Sequence, residues 1–132
     1  MITTIVKRDG REVPFHIEKI ADAIFKAAQA LGGRDYDTAM ELAQSVVRQL
    51  EEQYQNMVPS VEQVQDMVEH TLVEAGHART AKEYILSALK AGKHVVSANK
   101  DLIAVHGKEI LETAKAAQKD FLFEAAVAGG IP

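Results

Sequence analysis

Apolar residues recur at the spacing of an α-helix through most of this chain, and this pattern limits the fold more than any other feature. Each of four such stripes would bury one face of a helix, and glycine or proline separates or ends the stripes. The separating residues are Gly32 with Gly33, Pro59, Gly76 and Gly92. With 132 residues, 47% of them hydrophobic, the chain can fill one modest core. The sequence therefore predicts a cluster of four helices.

The starts of three of these helices can be predicted from local signals. Asp37 is expected to cap the second helix, and Ser60 followed by Gln63 has the form of a capping box for the third. The fourth helix is expected to begin at Thr80. Methionine adapts to irregular gaps, so Met57 and Met67 are interpreted as residues that fill the core or the space between helices.

The residues before the first helix predict a β-hairpin. Residues 2–6 are mostly β-branched, Asp9 and Gly10 form a turn signal, and residues 12–15 are again extended in pattern. After Gly92 the pattern changes to a strand at 94–97, a helix at 101–118 and a strand at 120–126. Such a β-α-β order normally pairs its two strands in parallel within a larger sheet. The predicted fold class is mainly α with a small β component: the hairpin on four helices, followed by a partial β-α-β unit.

Composition excludes several classes of protein. The absence of cysteine removes disulfides, thiolate metal sites and cysteine nucleophiles. A formal net charge of −4 argues against a nucleic-acid partner bound through general phosphate neutralisation. No run approaches the roughly 20 apolar residues needed to span a bilayer, and the N-terminus lacks a secretory pattern. We therefore expect a cytoplasmic protein without a membrane partner. His70 and His77 have no partners at metal-ligand spacing, so no metal site is predicted.

Cations cluster around the predicted hairpin. Lys7 and Arg8 belong to the first strand of the hairpin, Arg11 follows the turn, and Lys19 lies one turn into the next helix. Together with helix-end amides they could converge on an anion, most plainly a phosphate. The alternative is a solvated charge run on an exposed hairpin. The residues alone leave both interpretations open.

Three segments resemble the ATP-cone domain, a regulatory module of ribonucleotide reductases and of a related transcriptional repressor, in the version found in anaerobic reductases. They are VKRDGREVPF at 6–15 with EKI at 18–20, PSVEQVQDMVE at 59–69 and GHARTAKEYIL at 76–86. The resemblance covers residues 1–86 and implies a hairpin lid over a helical cone that binds ATP or dATP, with Mg²⁺.

The same resemblance implies roles for individual residues. Lys7 and Arg8 would contact the phosphates and the base region, and Lys19 would contact the phosphates. Val13 and His16 would line the side of the ribose and base. Some family members carry acidic or amide residues at these last two positions.

A second resemblance begins near the end of the fourth stripe. The segments ALKAGKHVVSANK at 88–100 and FLFEAAVAGGIP at 121–132 resemble an internal piece of homoserine dehydrogenase. In that family the loop that matches residues 97–100 approaches the nicotinamide cofactor. The stretch that matches Glu124, Val127, Gly129 and Ile131 lies at a monovalent cation site. The glycine-rich phosphate turn of a dinucleotide-binding fold is missing, so hydride transfer is not expected.

These resemblances predict a cone domain at residues 1–86 joined to a partial Rossmann-like segment at 87–132, as in a chimera. The expected function is a regulatory module that binds ATP or dATP and is not an enzyme. Unpaired apolar strands at 95–96 and 121–123 would favour a homo-oligomer formed through the C-terminal strands. The alternatives are a structural chimera without a working nucleotide site and, third, a dehydrogenase remnant that binds NADP.

Overall fold

Helix dominates the computed structural model, which describes residues 1–92, 95–97, 100–118 and 121–123, with side chains described for 1–92 and 105–118. The predicted fold class, mainly α with a small β component, is confirmed. In chain order the elements are β1 (Thr4–Val6), β2 (Glu12–Pro14), α1 (Ile17–Gln29), α2 (Tyr36–Gln53), α3 (Val61–Glu74), α4 (Ala78–Lys90), β3 (Val95–Ser97), α5 (Lys100–Ala116) and β4 (Phe121–Phe123).

The predicted hairpin is formed by β1 and β2, which pair antiparallel with Ile5 opposite Val13. Gly10 has a φ of +90°, a conformation that glycine adopts without the strain of a side chain. Lys7 and Arg8 lie in the turn and not on the strand, because the ladder ends at Val6. The Val6 amide donates to the Pro59 carbonyl at 3.0 Å. This bond fastens the hairpin to the start of α3.

The helix starts agree only in part with the local signals. The capping box of α3 is confirmed, with the Gln63 amide donating to Ser60 Oγ at 3.1 Å and the Ser60 amide to Gln63 Oε1 at 2.9 Å. The cap predicted at Asp37 is wrong, because Asp35 accepts from the Thr38 amide at 3.1 Å. Tyr36 already belongs to α2, where its ring packs on Phe25. Asp37 therefore falls in the first turn of the helix.

The fourth helix begins at Ala78, two residues before the predicted start at Thr80. Gly76 ends α3 at a φ of +85° and His77 follows as the N-cap residue of α4, so the connection between the two helices is shorter than predicted.

The core lies between α1, α2, α3 and α4: α1 packs on α2 and α4, and α3 packs on the same two helices. Met67 is buried in it, as predicted. Met57 is 64% exposed, so its predicted place in the core is wrong. The reason is that α2 ends at Gln53 and the chain turns at Asn56, where φ is +60°, which leaves Met57 in the loop.

The predicted β-α-β order follows α4. Strands β3 and β4 pair in parallel with Val95 opposite Phe121, and α5 connects them. Helix α5 packs on α4 and adds Ile110 and Ala114 to the core. The residues expected at a cation site, Glu124, Val127, Gly129 and Ile131, lie outside the described residues, as does part of the loop at 97–100. Among the described helices, none combines the length and apolar character that crossing a membrane requires.

Candidate nucleotide-binding site

A cavity of about 520 Å³ lies between the hairpin, α1, the first turns of α3 and the second half of α4. Its volume is in the range of small-molecule sites. The hairpin and α1 supply most of its charged groups, whereas α3 and α4 supply a mainly apolar wall. The residues that line it are Ile5, Lys7, Arg8, Val13, Pro14, Phe15, His16, Lys19, Ile20, Ala23, Lys26, Val61, Glu62, Val64, Gln65, Tyr84, Ser87, Ala88, Ala91 and Gly92.

The structure brings all of the predicted site residues to this cavity: Lys7, Arg8, Val13, His16 and Lys19. The hairpin turn carries the first two, and the pairing with Ile5 brings Val13 to the cavity. His16 is the N-cap residue of α1, and its backbone carbonyl accepts a hydrogen bond from the Lys19 amide at 3.1 Å. Their roles toward a nucleotide stay a prediction.

Arg11 does not join this group of cations. Its Nε donates to Asp9 Oδ2 at 2.7 Å, and its amide donates to Asp9 Oδ1 at 3.1 Å. The backbone hydrogen bond from Arg11 and then the guanidinium contact lower the pKa of the Asp9 carboxyl. The turn thus holds Arg11 against Asp9, and the predicted convergence of Arg11 with the other cations is wrong.

Lys26 is a cation of the cavity that sequence reasoning missed. It follows Lys19 by seven residues on α1, which is two turns of one helix face and roughly 10.5 Å of rise. That spacing was the available signal. Within the described residues no carboxylate forms an ion pair with Lys7, Arg8, Lys19 or Lys26. These charges are therefore available to an anion.

The first turn of α3 faces the same cavity through Val61 and Glu62. Backbone amides at a helix N-terminus carry partial positive charge, which favours anions nearby. Glu62 is the acidic side chain among the described residues that line the cavity. A carboxylate in this position could share a divalent cation with phosphate oxygens.

The inner wall contains Gln65 and Tyr84, neither of which was predicted from sequence. Gln65 is 6% exposed, and its Oε1 has no hydrogen-bond partner among the described residues. Burial raises the pKa of the Tyr84 hydroxyl, and the nearby charge of Glu69 raises it further. Tyr84 is therefore a neutral phenol at physiological pH.

The described residues contain no cluster of three or more histidine, aspartate or glutamate side chains that could hold a metal ion. His70 is exposed on α3, and His77 precedes α4 without a side-chain cap bond. Neither histidine lines the cavity.

The chain is similar in sequence to curated enzymes of two kinds. The vitamin B12-dependent ribonucleoside-diphosphate reductase of Thermoplasma acidophilum is 36% identical over 123 residues, covering 85% of this chain and 16% of the reductase. The homoserine dehydrogenase of Bacillus subtilis is 54% identical over 57 residues, covering 43% of this chain and 13% of the dehydrogenase. The homoserine dehydrogenase of Neisseria gonorrhoeae is 37% identical over 113 residues, covering 73% of this chain and 26% of the dehydrogenase.

These similarities confirm the predicted likeness to reductases and to homoserine dehydrogenases. The chain spans only about an eighth of the length of the Bacillus subtilis relative, since 13% of that protein is covered. A family model described as the ATP cone domain matches residues 3–89. ATP cones are regulatory domains that bind adenosine nucleotides as effectors. The match covers more than half of the residues of this chain. The chain therefore belongs to the ATP-cone domain family.

Proposed function

We propose that this chain binds ATP or dATP, with Mg²⁺, in the cavity beneath the hairpin, and that it acts as a regulatory module without catalytic activity of its own. The observation that carries the proposal is that Lys7, Arg8, Val13, His16 and Lys19 all line one cavity. The family match supports the same class of ligand.

The charge of the cavity suits a triphosphate. Lys7 and Lys19 act as point charges toward phosphate oxygens, and the Arg8 guanidinium can form two parallel hydrogen bonds with one phosphate. The first turn of α3 adds its amides, and the Glu62 carboxylate, which lines the cavity, would contact a Mg²⁺ ion carried by the phosphates. Among the described residues no carboxylate forms an ion pair with Lys7, Arg8 or Lys19, so a phosphate does not have to displace an ion pair to reach them.

The nucleoside would lie toward Val13 and His16. Val13 offers an apolar contact for the base, and the His16 imidazole can exchange hydrogen bonds with ribose or base.

For the remainder of the chain we propose a unit at residues 87–132 that derives from a dehydrogenase-like sequence, so that the whole is a chimera. The proposed boundary falls inside α4, which is continuous from Ala78 to Lys90. A pair of parallel strands is normally part of a larger sheet that is covered on both faces. This supports a second candidate function, in which the C-terminal strands drive self-association and the nucleotide site does not work.

A thermal melt with Mg²⁺ and either ATP, dATP, NADPH or no nucleotide tests these candidates, because a ligand that binds the folded state raises Tm. We expect ATP and dATP to raise Tm and NADPH to leave it unchanged. A rise with NADPH alone would instead favour the dehydrogenase remnant. No rise with any nucleotide, together with a dimer or larger species in light scattering, would favour the structural chimera.

Paired double variants assign the effect to the cavity. Lys7→Ala with Arg8→Ala removes two cations that line it, and the ATP-induced rise in Tm should disappear. Arg34→Ala with Arg48→Ala removes the same charge from exposed positions that do not line it, and the rise should remain. Equal behaviour of the two double variants would contradict the proposed site.

A further inference from the structure

The amide of Gln65 is a polar group inside the protein without a described partner for its oxygen. The residue is 6% exposed on α3, lines the cavity, and has a core residue, Val64, immediately before it. Its Oε1 accepts no hydrogen bond from the described residues. Taking an amide oxygen out of water without replacing its hydrogen bond destabilises the folded state. Because Gln65 borders the cavity, a molecule bound there could supply the missing donor to Oε1.

A buried hydroxyl on the same helix, that of Thr71, does have a hydrogen-bond donor within the protein. Thr71 is also buried, and its Oγ1 accepts a hydrogen bond from Gln49 Nε2 at 2.8 Å across the α2–α3 contact. Thr71 does not line the cavity, whereas Gln65 does. The difference between the two residues is therefore that Gln65 borders space where a ligand could supply the donor.

Gln65 also lies deeper than the residues that attract phosphate. Val61 and Glu62 in the first turn of α3 are half-buried, and Gln65 is buried about one turn further along the helix, or roughly 5 Å. Lys7 and Arg8, on the hairpin turn, line the same cavity and are exposed. With phosphates at these exposed cations, the nucleoside is the part of the ligand that reaches the inner wall.

We propose that Gln65 Oε1 accepts a hydrogen bond from the nucleoside, either from the 6-amino group of adenine or from the ribose 2′-hydroxyl, and thereby selects the nucleotide. The inference rests on the proposed binding of ATP or dATP. A nucleotide without the matching donor leaves the buried amide unsatisfied, and a site of this kind rejects such an analogue strongly.

Binding of ATP, dATP and ITP, each with Mg²⁺, to the full chain and to Gln65→Met tests the proposal by calorimetry. Methionine keeps the length and volume of glutamine but cannot accept the hydrogen bond. ATP should bind Gln65→Met about tenfold more weakly, as expected for one hydrogen bond. Gln44→Met, at an exposed position on α2, is the matched control and should leave the affinity for ATP unchanged.

The analogues identify the donor. If ITP binds the unchanged chain weakly and Gln65→Met equally weakly, the donor is the 6-amino group. If dATP binds the unchanged chain weakly and Gln65→Met equally weakly, the donor is the 2′-hydroxyl. Unchanged ATP affinity in Gln65→Met, or an equal loss for all three nucleotides, would overturn the inference.

Failure of this inference is distinct from failure of the proposed function. If Lys7→Ala with Arg8→Ala abolishes ATP binding while Gln65→Met binds ATP as tightly as the unchanged chain, the site stands and the role of Gln65 is wrong. If the unchanged chain binds none of the nucleotides, the proposed function is wrong and the role of Gln65 fails with it.

Discussion

In helices α1 to α4 buried residues recur mostly every three or four positions, and the described part of α5 buries Gly107, Ile110 and Ala114 at the same spacing but leaves large apolar side chains exposed. Each of the first four helices packs on two others of that group, and α4 also packs on α5. Val105 and Leu111 of α5 remain 73% and 56% exposed. The comparison teaches that apolar content does not determine burial. A helix contributes to the core only along the stripe that meets another helix.

The two regions also meet through charge. Lys82 of α4 donates to Glu109 Oε2 of α5 at 3.0 Å, and the Lys82 side chain lies 3.5 Å from Glu83. The same helix α4 supplies Tyr84, Ser87 and Ala88 to the cavity. Helix α4 therefore borders the candidate site and also contacts α5. Variants in the cone and variants in α5 both test how these contacts stabilise the protein.

The largest effect is expected from Leu72→Ala in α3, where the side chain is fully buried. Losing the burial and leaving a cavity should lower the free energy of unfolding by about 2–5 kcal/mol. Leu111→Ala on the exposed side of α5 is the control and should change it by less than about 0.5 kcal/mol. Urea denaturation measures both, and similar losses would contradict the contrast between the regions.

Ile110→Ala sharpens the comparison, since the Ile110 side chain on α5 is fully buried. We expect a loss of about 2–3 kcal/mol in the free energy of unfolding, because the side chain belongs to the shared core. Val105→Ala, nearby on the same helix, should be nearly neutral. If Ile110→Ala is neutral as well in the same denaturation assay, α5 does not stabilise the cone.

Ser60→Ala removes the side-chain half of the capping box that starts α3. The Gln63 amide then loses its acceptor, which should lower the free energy of unfolding by about 1 kcal/mol. Ser60→Thr keeps a hydroxyl that can accept the same hydrogen bond and serves as the control. Thermal melts of the two variants measure the effect, and an equal change would rule out a specific capping contribution.

A smaller effect is expected from Glu109→Gln, which breaks the contact with Lys82. The Glu109 side chain is about half exposed, so solvent screens the pair and the loss should be about 0.5 kcal/mol. The loss should shrink further at high salt. Glu112→Gln on the exposed face of α5 is the control. A large, salt-independent loss in denaturation would show that the pair is not screened.

The smallest effect is expected from acid at the start of α2. Hydrogen bonds from the Thr38 hydroxyl and then the Thr38 amide lower the pKa of the Asp35 carboxyl. Because the folded-state pKa is below the unfolded value, this contribution to stability is present above about pH 4 and is lost as pH falls through the folded-state pKa. NMR titration of Asp35 measures the shift, and an unshifted carboxyl would contradict the cap.

Local signals predicted those features that depend on neighbouring residues. The turn at Asp9 and Gly10 and the capping box at Ser60 and Gln63 each involve groups within four residues, and both are present. The cap of α2 was misplaced because Asp35 and Asp37 are both of a residue type that caps helices, and the Thr38 amide and hydroxyl donate to Asp35. Met57 was misplaced because methionine is common in cores, and the sequence did not show that α2 ends before this residue.

The candidate site divides in the same way. Lys7, Arg8, Val13, His16 and Lys19 could be named from the sequence because they belong to a recognisable motif, and they line one cavity. Gln65 and Tyr84 could not be assigned, because their role depends on which faces of α3 and α4 border that cavity. Lys26 had only its spacing from Lys19 as a signal.

The sequence by itself determined the helices, the hairpin and the parallel pair of strands that follows them. These depend on periodicity and on contacts between near neighbours. Only the tertiary structure decided that Asp9 holds Arg11, that Ile110 completes the core and that the Gln65 amide borders the cavity. Each of these depends on the relative placement of side chains in the folded chain, where packing and the satisfaction of polar groups select among positions that the sequence leaves equivalent.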